Sequence, residues 1–309
     1  MRLGIDIGGT KTAAVAMTGA GGIVDQVRLP TGFGASAVVD TAVQTVRRMS
    51  EITGIDAGSF ESIGIGIPGA VDTATGRVEH AVNLGFGGLD LGPRLAAVFG
   101  APVRVENDVK AAALGASLLL GTSLRSDTDT GAPPTSMAYL NLGTGLAAGV
   151  VLGGQLWRGS GGIAGEIGHL PVDPRGEQCA CGQRGCLELV ASGSAIARLW
   201  PTAAALPARD LFDAADRGDE RAVTVRQTFI DGVAAAVRVL VLTTDVETVV
   251  VGGGLSALGD RLLIGVRATL ARRAAQSPFI ASLALPDRVR LLPSGFPAAA
   301  VGAALVGMS

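Results

Sequence analysis

Cysteine, histidine and aromatic residues are scarce in this chain of 309 residues, which holds three Cys, two His, two Trp, one Tyr and eight Phe. An odd cysteine count argues against a secreted disulfide framework. Long apolar runs are also missing: no uncharged apolar stretch reaches the roughly 18 to 20 residues of a membrane span. The start, Met1 to Thr10, alternates apolar residues with glycines and lacks the continuous apolar run of a signal peptide. A soluble, cytoplasmic protein is therefore expected. Nor is there an excess of one charge. The formal net charge is -2, with charged residues spread along the chain, so neither nucleic acid nor an anionic membrane is expected as a partner. What the chain does have is length enough for one large or two ordinary domains, and 46 glycines that suit tight turns and close packing.

Strand-like and helix-like segments alternate from the start, as in an α/β fold. Leu3–Ile7 and Thr12–Met17 read as strands joined by the turn Gly8-Gly9-Thr10-Lys11, and Ile23–Leu29 reads as a third. Ala37–Thr53 has helical spacing and ends near Gly54. Ser62–Ile67 is again strand-like, Leu95–Phe99 ends a helix before Gly100, and Pro102–Val105 runs into Glu106-Asn107-Asp108 ahead of the helix formers Val109–Leu120. Thr122–Ser136, polar with paired prolines, reads as a surface connection. The segment YLNLGTGLAAGVVLGG then repeats the order of LGIDIGGTKTAAVAM: apolar strand, acidic or amide residue, glycine turn, small apolar strand. Asp6-Ile7-Gly8 matches Asn141-Leu142-Gly143. The repeat predicts a duplicated architecture with a cleft between its halves. VETVVVGGGLS is a buried strand entering a third glycine turn before a helix over Gly259–Ala275, and Ala298–Val306 is a helix expected to return to the first half.

Glycine turns after apolar strands leave backbone N–H groups free to meet anionic oxygens, so these three turns point to phosphate chemistry. GIDIGGTKT approaches a P-loop, but its threonine precedes the lysine and a strand follows where a helix should open. Gly64–Gly69 satisfies the dinucleotide pattern only formally, because Pro68 and the polar residues after it do not open a helix. Asn107 and Asp108, at the end of a strand just before a helix, suit two roles that can coexist: N-cap, or, for Asp108, general base toward a hydroxyl attacking a phosphoryl group.

All three cysteines and one histidine fall within HLPVDPRGEQCACGQRGC. His169, Cys179, Cys181 and Cys186 offer one imidazole and three thiolates, the donors of a closed, structural tetrahedral Zn²⁺ site. The absence of C-x-x-C disfavours a redox pair. The metal would clamp the loop that carries Glu166, His169 and Glu188, three side chains able to hydrogen-bond a polyhydroxylated ligand. His80, standing alone, reads as an ordinary polar residue.

GIDIGGTKTAAV, GIGIPGAVD, VENDVKAAALG, LNLGTGLAAGVVLGGQL, GGIAGEIGHL, CACGQRGCLE and VVVGGGLS together resemble the ROK family of bacterial sugar kinases and related repressors, within the actin-like ATPase superfamily. The resemblance spans nearly the whole chain, and E-x-G-H followed by C-x-C-G-x-x-G-C-x-E is its most specific part. It implies an α/β, actin-like (ribonuclease H-like) duplicated two-domain fold, with residues 1–112 plus 297–309 as a small domain and 113–296 as a large domain carrying the zinc loop. It further implies transfer of the γ-phosphoryl group of Mg-ATP to a hexose hydroxyl, the 6-hydroxyl of glucose foremost. Mannose, fructose, allose, an N-acetylhexosamine such as N-acetylmannosamine or N-acetylglucosamine, or a cyclitol are alternative substrates, and a non-catalytic sugar sensor is the alternative of another class. Family repressors usually carry an N-terminal helix-turn-helix, for which the first phosphate turn, beginning at residue 4, leaves no room, so the kinase branch is expected.

Carried over residue by residue, the resemblance assigns Asp6, Gly8, Gly9, Thr10 and Lys11 to the first ATP phosphate turn, with Asp6 on the Mg²⁺ side. Gly143, Thr144 and Gly145 form the second turn, and Gly252, Gly253 and Gly254 lie against the adenosine. Asp108 is the base. Gly69, Asn83, Asn107, Glu166, His169 and Glu188 contact the sugar, and His169 joins Cys179, Cys181 and Cys186 on Zn²⁺. Two departures bear on the substrate: glycines follow Asn83 where relatives carry a tryptophan or other bulky groups, and Lys110 replaces a small or amide residue near the sugar. A homodimer or homotetramer is expected.

Overall fold

A computed structural model of the chain describes residues 1–122 and 135–307. The expected surface connection Thr122–Ser136 lies, over residues 123–134, outside the described residues. The chain divides into two compact units: Met1–Pro133, Gly149–Ala164 and Phe296–Ser309 form unit 1, and Pro134–Ala148 with Gly165–Gly295 form unit 2.

Unit 1 begins with β1 (Arg2–Ile7), β2 (Lys11–Met17) and β3 (Ile23–Pro30), then α1 (Ala35–Thr53) and β4 (Ser62–Ile67). A small antiparallel sheet of β5 (Ala70–Asp72), β6 (Arg77–Ala81) and β7 (Phe86–Leu89) follows, then α2 (Leu91–Phe99), β8 (Val103–Asn107) and α3 (Asp108–Thr122). The main sheet has the order β3-β2-β1-β4-β8. β1, β4 and β8 run parallel, with Asp6 opposite Gly66 and Ile67 opposite Asn107. Their carboxyl ends, where open α/β sheets bind ligands, therefore bring the ends of three separate sequence motifs side by side.

Alternation along these strands decides what covers each face. Leu3, Ile5 and Ile7, with Ile63, Ile65 and Ile67, are fully buried and cluster with Val38, Ala42, Val46 and Met49 of α1 and Leu91 and Leu95 of α2. The intervening Gly4 and Gly64 lie against the C-terminal helix, residues Ala298–Val306. A β-carbon at Gly4 or Gly64 would collide with the carbonyl oxygens of Ala300 and Ala303, and one at Gly115 of α3 would meet that of Ala298. Small residues thus allow this helix to lie directly on β1, β4 and α3, as expected from its composition. The same approach keeps α3 whole within unit 1, so the chain divides elsewhere than after residue 112, the expected boundary, which falls inside that helix.

The second large sheet contains β9 (Ser136–Leu142), β10 (Leu146–Leu152), β11 (Gln155–Trp157), β12 (Thr248–Gly252) and β13 (Val289–Leu291). Its order, β11-β10-β9-β12-β13, repeats that of the first sheet: three successive strands, then two strands reached by crossovers. The chain passes from unit 2 to unit 1 within β10, between Ala148 and Gly149. Unit 2 also holds α4 (Gly193–Leu199), α5 (Pro207–Asp216), α6 (Glu220–Thr244), α7 (Asp260–Ala274) and α8 (Pro278–Ser282). Asp219 caps α6 by accepting from the Ala222 N–H at 2.8 Å. Phe212 of α5 and Phe229 of α6, both buried, meet edge to face with ring centroids 6.4 Å apart. The C-terminal helix of unit 1 is α9 (Ala298–Val306). The duplication expected from the two glycine-turn segments is thus visible in strand order. No described helix is long and apolar enough to cross a membrane.

Candidate active site

Unit 1 carries the first group of the expected site residues. Between β1 and β2 the chain turns tightly, with the Gly8 N–H donating to the Lys11 carbonyl at 3.0 Å, and Gly9, Thr10 and Lys11 are exposed. The turn closes an antiparallel hairpin and opens no helix, which accounts for the failure of the P-loop pattern. Asp6, at the end of β1, has its carboxyl pushed up to about 7 by burial and by the charge of Asp108, against the pull of Lys11 and Arg28. Two carboxyl groups in Coulombic reach, beside a glycine turn, form a donor set suited to a hard divalent cation with oxygen ligands. Mg²⁺ fits these residues.

The β8–α3 junction carries Asn107 and Asp108, the latter expected as the base. Asn107 Oδ1 accepts from the N–H groups of Val109 (3.1 Å) and Lys110 (3.2 Å), and its Nδ2 donates to the Gly69 carbonyl at 3.3 Å. The capping role expected as Asp108's alternative therefore falls chiefly to Asn107, one residue earlier, while Asp108 Oδ1 accepts from its neighbour Val109 at 2.9 Å. Gly69 holds φ at +117°, a conformation that excludes most side chains. Asn83, on a single helical turn between β6 and β7, is exposed and adjoins the first glycine turn: a β-carbon at Gly9 would stand 3.4 Å from its carbonyl oxygen.

Two buried charges flank Asn107–Asp108. Glu106, 2% exposed, accepts from Arg158 Nε at 2.6 Å and from the Asn107 N–H at 2.9 Å. Lys110, 4% exposed, donates from Nζ to the Gly162 carbonyl at 2.6 Å. Both bonds reach the same glycine-rich segment 158–162, so the β8–α3 junction is tied to it at two points. Lys110, expected beside the sugar, is instead turned into this latch. A carbonyl partner and burial give a lysine a structural use that no spacing in the sequence announces.

Unit 2 supplies the other residues. The second glycine turn is closed by the Gly143 N–H donating to the Gly145 carbonyl at 3.1 Å, and its Gly143 and Thr144 carbonyls accept from the N–H groups of Gly193 and Ser194 at the start of α4. Thr144 is exposed. Glu188 Oε2 accepts from the Leu146 N–H at 3.0 Å, and a β-carbon at Gly145 would come 2.5 Å from that oxygen. A side chain expected at the sugar is thereby bonded to the residue that follows the second glycine turn, a link the sequence did not announce. Of the third glycine run, Gly252 is buried in β12 against Tyr139, while Gly254 is exposed. Glu166 is exposed and immediately precedes the helical turn Ile167–His169.

His169, Cys179, Cys181 and Cys186 come together, with one ligand atom from each within 4.8 Å of all the others. Cys181 Sγ lies 3.6 Å from Cys186 Sγ, and Cys179 Sγ lies 3.9 Å from His169 Nδ1. With Zn–S near 2.3 Å, sulfurs on a tetrahedron stand about 3.8 Å apart, so Zn²⁺ fits this set. Short backbone bonds brace the loop, among them Cys179 N–H to the Gln183 carbonyl at 2.7 Å and Leu187 N–H to the Leu170 carbonyl at 2.9 Å. Hydrogen bonds from Gln183 lower the exposed Cys181 thiol to about 6, whereas burial raises Cys186 to about 12.

Residues 2–306 match the family model described as ROK family. The chain is 35% identical to a glucokinase of Halalkalibacterium halodurans over 84% of this chain and 82% of that protein. It is 33% identical to an N-acetylmannosamine kinase of Citrobacter koseri over 92% and 91%, respectively. Among solved structures, a ROK family glucokinase from Streptomyces griseus in complex with glucose and AMPPNP superposes with a TM-score of 0.79 at 30% identity, covering 99% of both chains.

Proposed function

The chain belongs to the ROK family and is an ATP-dependent sugar kinase, and from that premise we propose that it phosphorylates a hexose, glucose foremost, at the 6-hydroxyl, with Asp108 as general base. The observation that carries the assignment of the base is the β8–α3 junction: Asn107 takes over the capping of α3, and Asp108 stands at the carboxyl end of the parallel strands with the carboxyl of Asp6 in Coulombic reach. In this reading Asp108 accepts the proton as the hydroxyl attacks the γ-phosphoryl group. Backbone N–H groups of Gly8–Lys11 and Gly143–Gly145 hold phosphate oxygens, and Gly252–Gly254 lie beside the adenosine. Gly69, Asn83, Asn107, Glu166, His169 and Glu188 orient the sugar. Mg²⁺, when bound on the Asp6 side, neutralises charge on the phosphates. Zn²⁺ held by His169, Cys179, Cys181 and Cys186 fixes the loop that presents His169 and Glu188.

Glucose is supported by the glucokinase relatives and by the full cysteine and histidine set. N-acetylmannosamine is the second reading, favoured by the exposed Gly87 after Asn83, where a β-carbon would meet nothing within 4 Å and an N-acetyl group finds room, and by the relative that carries that name. Mg-ATP-dependent ADP release with the two sugars, each alone and then in competition, separates them. A kcat/KM for glucose at least about tenfold above that for N-acetylmannosamine is expected, since one misplaced group in a pocket discriminates by roughly 10- to 200-fold. The reverse ratio assigns the amino sugar.

A further inference from the structure

Phe33 lies in the connection between β3 and α1 and is 77% exposed. Of the chain's eight Phe, Phe60, Phe99, Phe212 and Phe229 are buried, whereas Phe279, like Phe33, is exposed. A single exposed apolar side chain is ordinary on a protein surface. What sets this one apart is how it is held. The Thr31 N–H donates to the carbonyl of Thr10, in the first glycine turn, at 3.1 Å, and the Gly34 N–H donates to the carbonyl of Leu84, next to Asn83, at 2.8 Å. The Gly32 N–H donates to Thr41 Oγ1 at 3.2 Å, and the hydroxyls of Thr12 and Thr31 meet at 2.8 Å. The segment is thus pinned on one side to the phosphate turn and on the other to the turn bearing Asn83.

The ring lies against Gly85, where any side chain would collide with it. Val82, 79% exposed, flanks Asn83, and Gly87 and Gly88 add no bulk. After Asn83, Leu84 and Leu89 are buried and Phe86 packs against the core, so the exposed positions Gly85, Gly87 and Gly88 carry no side chain, and an aromatic ring from a distant segment lies over Gly85. Sugar sites combine apolar walls with a few placed polar groups, and the C–H face of a pyranose ring matches the face of an aromatic side chain.

We propose that Phe33 is a substrate-contacting residue, an aromatic wall that stacks on the apolar face of the sugar held by Asn83 and makes up for the bulk missing at Gly85, Gly87 and Gly88. This rests on the sugar-kinase reading of the same site. Phe33→Ala should raise KM for the preferred hexose at least about tenfold, a loss of about 1.4 kcal/mol, and leave KM for Mg-ATP and Tm unchanged. Phe33→Trp should restore the sugar KM to within about threefold and change its indole fluorescence when sugar is added without nucleotide. Phe33→Ala with a sugar KM within twofold of wild type would overturn the proposal, as would equal losses for sugar and ATP. A change in sedimentation mass on Phe33→Ala, with the sugar KM following it, would overturn it in favour of a contact between copies. If the wild-type chain releases no ADP with any sugar, the kinase reading fails by itself, and the Phe33→Trp titration still decides whether sugar reaches this ring.

Discussion

The two glycine turns occupy equivalent positions in sheets of equivalent strand order, yet they are built differently. The turn Gly8–Lys11 in unit 1 is surrounded by charge: Asp6 behind it, Lys11 within it, and Asp108 close enough to raise Asp6. The turn Gly143–Gly145 in unit 2 has no charged side chain of its own. It is held by α4 and by Glu188, which lies two residues beyond Cys186 of the metal-ligand cluster. One turn stands among charged groups, and the other is held by hydrogen bonds from neighbouring elements. A duplicated scaffold thus repeats the glycine turn while placing the charged groups beside only one copy.

The largest effect that sharpens this contrast is expected at Asp6. Asp6→Asn should reduce turnover at least about a hundredfold, by removing a carboxylate from the cation side of the phosphates. Its stability effect has the opposite sign. The native state holds the Asp6 proton up to about pH 7 while the unfolded chain releases it near 3.8, so the stability that Asp6 contributes is full below about pH 4 and is lost as pH rises toward 7 and beyond, by on the order of 4 kcal/mol. Asp6→Asn should therefore raise Tm of the nucleotide-free chain at pH 8 and leave it nearly unchanged at pH 4. A pH-independent difference would break the charge-centred account of the first turn.

In unit 2, Cys181→Ser should abolish stoichiometric zinc, measured by metal analysis, and lower Tm and sugar affinity together, because metal binding and folding of such a loop are coupled. Full zinc content in the mutant would dissolve the four-donor set. Gly145→Ala tests the second turn: the new methyl group must displace the Glu188 carboxylate, so KM for Mg-ATP should rise about tenfold, in line with an overpacking cost of about 1–3 kcal/mol, with little change in zinc content. The smallest expected effect on turnover is that of Lys110→Met, which leaves the Gly162 carbonyl without its donor. A stability loss of about 1–3 kcal/mol, read by chemical denaturation, should accompany turnover within about threefold of wild type.

Much of this contrast is written locally in the chain. Strands such as Ser62–Ile67 and the helix Ala298–Val306 appear where apolar periodicity and glycine place them, and the four candidate metal donors come together from within 18 residues because a loop of that length gathers its own side chains without help from the rest of the fold. What stayed hidden depends on long-range approach. Glu106 meets Arg158 and Lys110 meets Gly162 across 52 positions, and Glu188 reaches Leu146 across 42; periodicity reports which face is buried, not which distant carbonyl lies beneath it. The exchange of roles between Asn107 and Asp108 was hidden for a different reason, since both are good capping residues and only the backbone path at the end of β8 selects one. The boundary after residue 112 lost its local support likewise, because small residues that look like ordinary helix formers in α3 serve a contact with α9.

The most direct test of the central claim compares wild type with Asp108→Asn in Mg-ATP-dependent ADP release with glucose, alongside calorimetric glucose binding. The account predicts unchanged folding and glucose affinity within about threefold, with turnover down by about 10²- to 10⁴-fold, the range of a lost general base. Turnover retained at more than about a tenth of wild type, in a mutant that binds glucose normally, would contradict it.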